Sequence, residues 1–202
     1  MPFAGLIWPM LLALATAPPP LQSFAGFSAD SRHFAYGGFS PGAGVPTLTV
    51  VRTADGRIEK VLPVTSAKVE ADLQAYLREQ RFESKPRPAP PALREYAIEI
   101  RSEGERSEVV LRRLADGRAE RLHVSPSAEA VRRLHLWGFS PSGRYAAFDE
   151  TLASHTEFGA ATGYFVVDVA EGIQKLTQAA AHARAAKHSA DGGHPATNPD
   201  RE

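Results

Sequence analysis

The chain has no cysteine among its 202 residues. That excludes disulfides, thiolate metal sites, a cysteine nucleophile and a lipid-bearing N-terminal cysteine. It also has no net charge: 23 basic side chains balance 23 acidic ones, so no long-range field draws it to nucleic acid or to an anionic membrane surface. Arg112–Arg113 and Arg132–Arg133 sit among glutamates, which weakens a phosphate-binding reading. No Gly-rich phosphate loop, H-E-x-x-H motif or dinucleotide fingerprint is present, and no cofactor is expected.

Charge is missing altogether from the first 29 residues. Phe3 to Ala17 is an apolar run of signal-peptide length, too short for a comfortable bilayer span. Ala13-Leu14-Ala15 and Ala15-Thr16-Ala17 place small residues where a signal peptidase reads. The reading is a signal peptide over residues 1–17, a periplasmic or secreted location, and no stable membrane insertion after processing. An exported protein without disulfides suits a bacterial periplasm. The uncharged start and Pro18 beyond the cut leave open a packed N-terminal segment or a retained anchor. At the other end, residues 178–202 read as an Ala/His-rich helix followed by a disordered tail. His182, His188 and His194 are six apart, a spacing that does not share one helical face, so they are not taken as a metal site.

What is present is repetition. GFSADSRHFAY at 26–36 returns as GFSPSGRYAAF at 138–148. In the second copy, His135–Phe139 reads as a strand, Ser140-Pro141-Ser142-Gly143 as a tight turn, and Arg144–Phe148 as the returning strand. Tyr164–Val169 reads as a third strand, and Ile173–Leu176 as a fourth after a turn at Ala170-Glu171-Gly172. The first copy runs the same way: Phe24–Ser28, Arg32–Tyr36, Thr47–Thr53 and Arg57–Leu62, with Ala54-Asp55-Gly56 as a hairpin turn. Ser31 stands where the second copy has Gly143, so that turn is expected to be of another type or mildly strained. Between the copies, Arg94–Arg101 alternates apolar and polar residues and Glu108–Leu114 follows. Ala115-Asp116-Gly117-Arg118 then repeats Ala54-Asp55-Gly56-Arg57. The expected organisation is a first meander at 23–64, a helix and Pro-rich connector at 65–92, a central meander at 93–124, and a second full meander at 134–177. The helix rests on Val69, Leu73, Tyr76 and Leu77 sharing one face, capped by Thr65 or Ser66, and it covers a sheet.

FSPSGRYAAF, then YFVVDVAEG and QKLT, resembles one blade of a TolB-type β-propeller repeat, as found in predicted secreted bacterial proteins of unknown function. The likeness covers 137–177 well and 24–62 fairly. It implies blade-like sheets and specifies no ligand. Propellers take about four to eight blades, and blades recur every 40–45 residues or so. These two phrases lie 112 residues apart. The fold expected is therefore mainly β: two to three antiparallel blade-like meanders in an incomplete propeller-like array, with one covering helix and a C-terminal helix and tail.

Ser28 and Ser140 read as turn-capping hydroxyls rather than nucleophiles. The richest polar stretch is the loop 149–157, where Asp149, Glu150, His155 and Glu157 could contact a ligand or a hard cation. Against this, Asp149 and Glu150 would face opposite ways if the strand continued through them. The function expected is an exported, non-catalytic interaction or scaffold module whose partner is another exported protein or a second copy of itself. The alternative is a small periplasmic hydrolase or metal-dependent enzyme built on the 149–157 loop.

Overall fold

A computed structural model describes residues 20–39, 44–103, 106–125, 131–153 and 161–191. Four strands, β1 (Ala25–Ser28), β2 (His33–Phe39), β3 (Pro46–Arg52) and β4 (Ile58–Pro63), form an antiparallel meander. Helix α1 (Ala67–Glu79) follows, with Ser66 Oγ accepting the Val69 N–H as its N-cap. The chain then returns as β5 (Phe82–Glu83), which pairs with β1 and completes the order β4-β3-β2-β1-β5. A second sheet holds β6 (Tyr96–Glu103), β7 (Arg106–Arg113) and β8 (Ala119–Val124). A third holds β9 (Val131–Phe139), β10 (Tyr145–Ala153) and β11 (Ala161–Asp168), in the order β11-β10-β9. Helix α2 (Val169–Asp191) follows directly. The protein is mainly β, with three antiparallel sheets and two helices.

Three clusters of apolar side chains show how the layers stack. Leu73, Tyr76 and Leu77 of α1 pack with Leu48 and Val50 on one face of the first sheet. Its other face sets Phe27 and Phe34 against Trp137, Tyr145 and Ala147 of the third sheet. The opposite face of the third sheet sets Phe139, Ala146 and Phe148 against Val109 and Leu111 of the second, with Val169 and Leu176 of α2. The layers therefore run α1, first sheet, third sheet, second sheet. The sheet encoded last sits in the middle. Aromatic rings fill the joint between first and third sheets, with Phe34 4.8 Å from Phe27 and 5.4 Å from Trp137 between ring centroids, a spacing at which tilted and edge-on rings attract.

The repeat organises matching faces. Phe27, Phe34 and Tyr36 turn toward the third sheet, and their counterparts Phe139, Ala146 and Phe148 turn toward the second. The Asp-Gly turns match as well: Gly56 has φ 68° and Gly117 φ 71°, and each turn is followed by a register shift across its hairpin.

Two expectations need correction. Ile173–Leu176 is not a fourth strand but part of α2. Val169, Ile173, Leu176 and Ala180 recur at helical spacing, the first three packing on the second and third sheets and Ala180 buried a turn further on, and the Asp168 carboxylate caps the helix by accepting the Glu171 N–H at 2.9 Å. Gly172, expected in a turn, lies inside that helix, where a Cβ would fall 2.6 Å from Leu122 Cδ2. The 149–157 stretch is likewise not a loop from its start. The β10 strand continues to Ala153 because it is paired on both sides, with β9 and β11. Among the described residues, no helix is long and apolar enough to cross a membrane. The proposed signal peptide at 1–17 and the tail beyond Asp191 lie outside the described residues.

Candidate functional site

The repeated phrase closes each of its hairpins with the same hydrogen-bonded cage. In the first copy, Ser28 Oγ accepts the His33 N–H at 2.9 Å and donates to Asp30 Oδ1 at 2.7 Å. Asp30 Oδ1 in turn accepts the Arg32 N–H at 3.0 Å. In the second copy, Ser140 Oγ accepts the Tyr145 N–H at 3.1 Å and shares a hydrogen bond with Ser142 Oγ, which accepts the Arg144 N–H. Both serines are buried, as turn-capping hydroxyls should be. The residue after the Asp30/Ser142 position needs positive φ, and Gly143 adopts 72°. Ser31 adopts 60°, so the turn is of the same kind despite a Cβ that disfavours this region. Its hydroxyl offsets that cost across the molecule, accepting the Ser142 N–H at 3.0 Å. The two turns thus touch.

The phrase's leading glycine has a separate reason. The connector after β5 crosses the inner edges of both outer and middle sheets: Glu83 pairs with Phe27, and Arg87 bridges to Phe139. A Cβ on Gly26 would sit 2.4 Å from the Glu83 carbonyl oxygen, and one on Gly138 would sit 2.7 Å from Pro86 Cβ. One strip of chain lies over both copies.

Where the turns meet, a cleft of about 590 Å³ opens between the first and third sheets. Asp30, Arg32, His33, Arg52, Arg144 and Tyr145 are among the residues lining it. Arg52 is held by Asp55 at 2.8–3.0 Å in a forked pair, and Arg144 sets both Nε and Nη2 on the single Oδ2 of Asp168 at 2.7–2.8 Å. His33 Nε2 lies 3.1 Å from Glu59. The Ser28 hydroxyl, then the Arg32 N–H, hold the Asp30 carboxyl below its ordinary value. His33 and Tyr145 were recognisable as equivalent positions of the repeat. Their neighbours Arg32 and Arg144 read only as the first residues of the returning strands, although the shared Arg of both phrases was the available signal.

The structure separates the acidic residues singled out from the sequence. Asp149 faces the first-sheet side of the third sheet, opposite His135 and Tyr164, with its Oδ2 3.3 Å from His135 Nδ1. Burial, and then the Asp149 charge, raise the Tyr164 phenol above its ordinary value. Glu150 turns to the other face and accepts a hydrogen bond from the buried Ser125 hydroxyl at 2.8 Å. His155 and Glu157 lie outside the described residues. His123 stacks on Phe165 at 3.8 Å. Among the described residues, no group of three or more His, Asp or Glu side chains could hold a metal ion. Gly38-Phe39-Ser40-Pro41-Gly42 has the spacing of a nucleophile elbow, a signal easily passed over. Gly38 and Phe39 belong to β2, and Ser40, Pro41 and Gly42 lie outside the described residues. No protein-family model, curated protein or solved structure matches the chain.

Proposed function

We propose that the protein is an exported, non-catalytic interaction module assembled from propeller-type sheets. One observation carries this reading: the two copies of the phrase meet so that their turns frame a single open cleft between sheets. The hydroxyls that could have served as nucleophiles, Ser28 and Ser140, are buried and committed to closing those turns. What the paired turns offer is therefore a shaped, charged surface rather than a reacting group. The stack also ends without closing on itself: β11 is an edge strand of the middle sheet, β4 is an edge strand of the first, and Ile58 and Val61 on β4 remain more than half exposed. Such an arrangement suits docking.

The test is in-cell crosslinking followed by affinity capture of the tagged chain from the exported fraction, read by mass spectrometry. The expected result is one other protein in stoichiometric yield. Recovery of the tagged chain alone would overturn the partner reading, and an uncut chain in the cytoplasm would overturn export.

A further inference from the structure

The Pro-rich connector carries a sequence signal that its packing uses only in part. From Lys85 to Pro90, every residue is a proline or stands directly before one: Lys85-Pro86-Arg87-Pro88-Ala89-Pro90-Pro91. Proline fixes its own φ near about −65° and pushes the residue before it out of the helical region. The run is therefore held extended, close to a polyproline II helix, and Pro90 adopts φ −68° and ψ 155°. Such a helix has three residues per turn, so its side chains fall on three edges. Two of the edges touch the body. On one, the Arg87 carbonyl accepts the Phe139 N–H at 3.2 Å and Pro90 lies where a Cβ on Gly143 would meet it at 2.8 Å. On another, Pro86 leans on Gly138. The third edge, Lys85, Pro88 and Pro91, is exposed along its length. Pro91 opens the 3-10 turn Pro91–Glu95, yet its ring is placed by the ψ of Pro90 and by its own fixed φ, so the edge runs on unbroken. Beside that edge, Pro88, Pro90, Pro91 and Pro141 are among the residues bordering an open hollow of about 350 Å³.

We propose that residues 85–91 are a docking strip for a partner whose groove is lined with aromatic side chains, with Pro88 and Pro91 seated against its rings. The assignment rests on the interaction reading above and names the partner's chemistry. Prolines three apart in an extended run are what aromatic-lined grooves receive. Addition of a partner strand is disfavoured here, because only Arg87 and Ala89 between Pro86 and Pro91 carry a backbone N–H. The strip is also ordered before it meets anything, so docking costs little conformational entropy.

Isothermal titration calorimetry of the full chain with two isolated aromatic-groove domains, an SH3 and a WW domain, tests it, with a synthetic peptide of residues 84–92 as comparator. At least one domain should bind the peptide, and should bind the full chain at least as tightly. Pro88→Ala, at an exposed position, should keep the circular dichroism spectrum and weaken binding about tenfold, as loss of one anchoring side chain does. Pro91→Ala gives the same readout if Pro88→Ala fails to fold. Binding by neither domain, binding of the peptide but not of the full chain, or a folded proline variant that binds unchanged would overturn the assignment. The capture experiment separates the two claims. A captured partner retained by Pro88→Ala would remove the docking strip and leave the interaction reading standing. Binding of either domain without any captured protein would remove the interaction reading and leave the strip as a competent ligand for such grooves.

Discussion

The two copies of the phrase make the same turn with different chemistry. At the position that closes the cage, the first copy uses the Asp30 carboxylate and the second the Ser142 hydroxyl; at the next, the first has Ser31 and the second Gly143. The hydrogen bonds they complete are equivalent. What has been kept is a set of acceptors at fixed places, not a set of residues. What has diverged is sensitivity: only the first turn can respond to protonation, and only the first reaches across to its twin, through Ser31.

The largest effect should come from the feature that both copies share without variation. Gly26→Ala drives a Cβ into the connector's backbone, and Gly138→Ala drives one into Pro86. Each should cost about 3 kcal/mol, the upper end for overpacking, because backbone must yield in both cases: the Glu83 carbonyl at Gly26, and Pro86 and Arg87 at Gly138, where a φ of 157° adds strain. Urea denaturation of the two variants checks the size. Removing the cage hydroxyls comes next. Ser140→Ala strands the buried Tyr145 N–H, and Ser28→Ala strands the His33 N–H as well as a charge-assisted bond to Asp30. About 1–3 kcal/mol is expected for each, Ser28→Ala costing more near neutral pH. A larger loss for Ser140→Ala would break the comparison.

The smallest effect is the sharpest. Because Asp30 is held below its ordinary value, its ionised form favours the fold, and that contribution is present above the ordinary carboxyl range. It fades as pH falls below that range through the depressed value. Asp30 is 56% exposed, so the effect is small and salt-sensitive. Amide NMR shifts of His33 and Arg32 should titrate in acid, while Tyr145 and Arg144, around the second cage, should not follow the same curve. In the same window the gap between Ser28→Ala and Ser140→Ala should narrow.

Much of this was legible locally. Alternation marked β6 and β7, Asp-Gly marked two hairpins, and the spacing of Leu73, Tyr76 and Leu77 marked α1, because each signal is complete within a dozen residues. The start of α2 was misread because its apolar residues fall where a closing strand would put some of its own, and only the full run from Val169 to Ala180 shows the helical period. The glycine of the phrase was visible, but its cause was not, since Glu83 and Pro86 approach from 50–60 residues away in the chain. The cleft was hidden for the same reason. It belongs to no one segment and exists only once Ser31 meets Ser142.

The order of layers has a consequence for how the molecule is made. The first and second sheets leave the ribosome before the third, yet none of the three core clusters joins them to one another. Until β9–β11 arrive, the nascent chain holds two half-built units, each showing an apolar face that its eventual neighbour has yet to cover. Only β9–β11 cover both faces, so the contacts that complete the core are distant in sequence, and folding governed by such contacts is slow and exposed to mispairing until it completes.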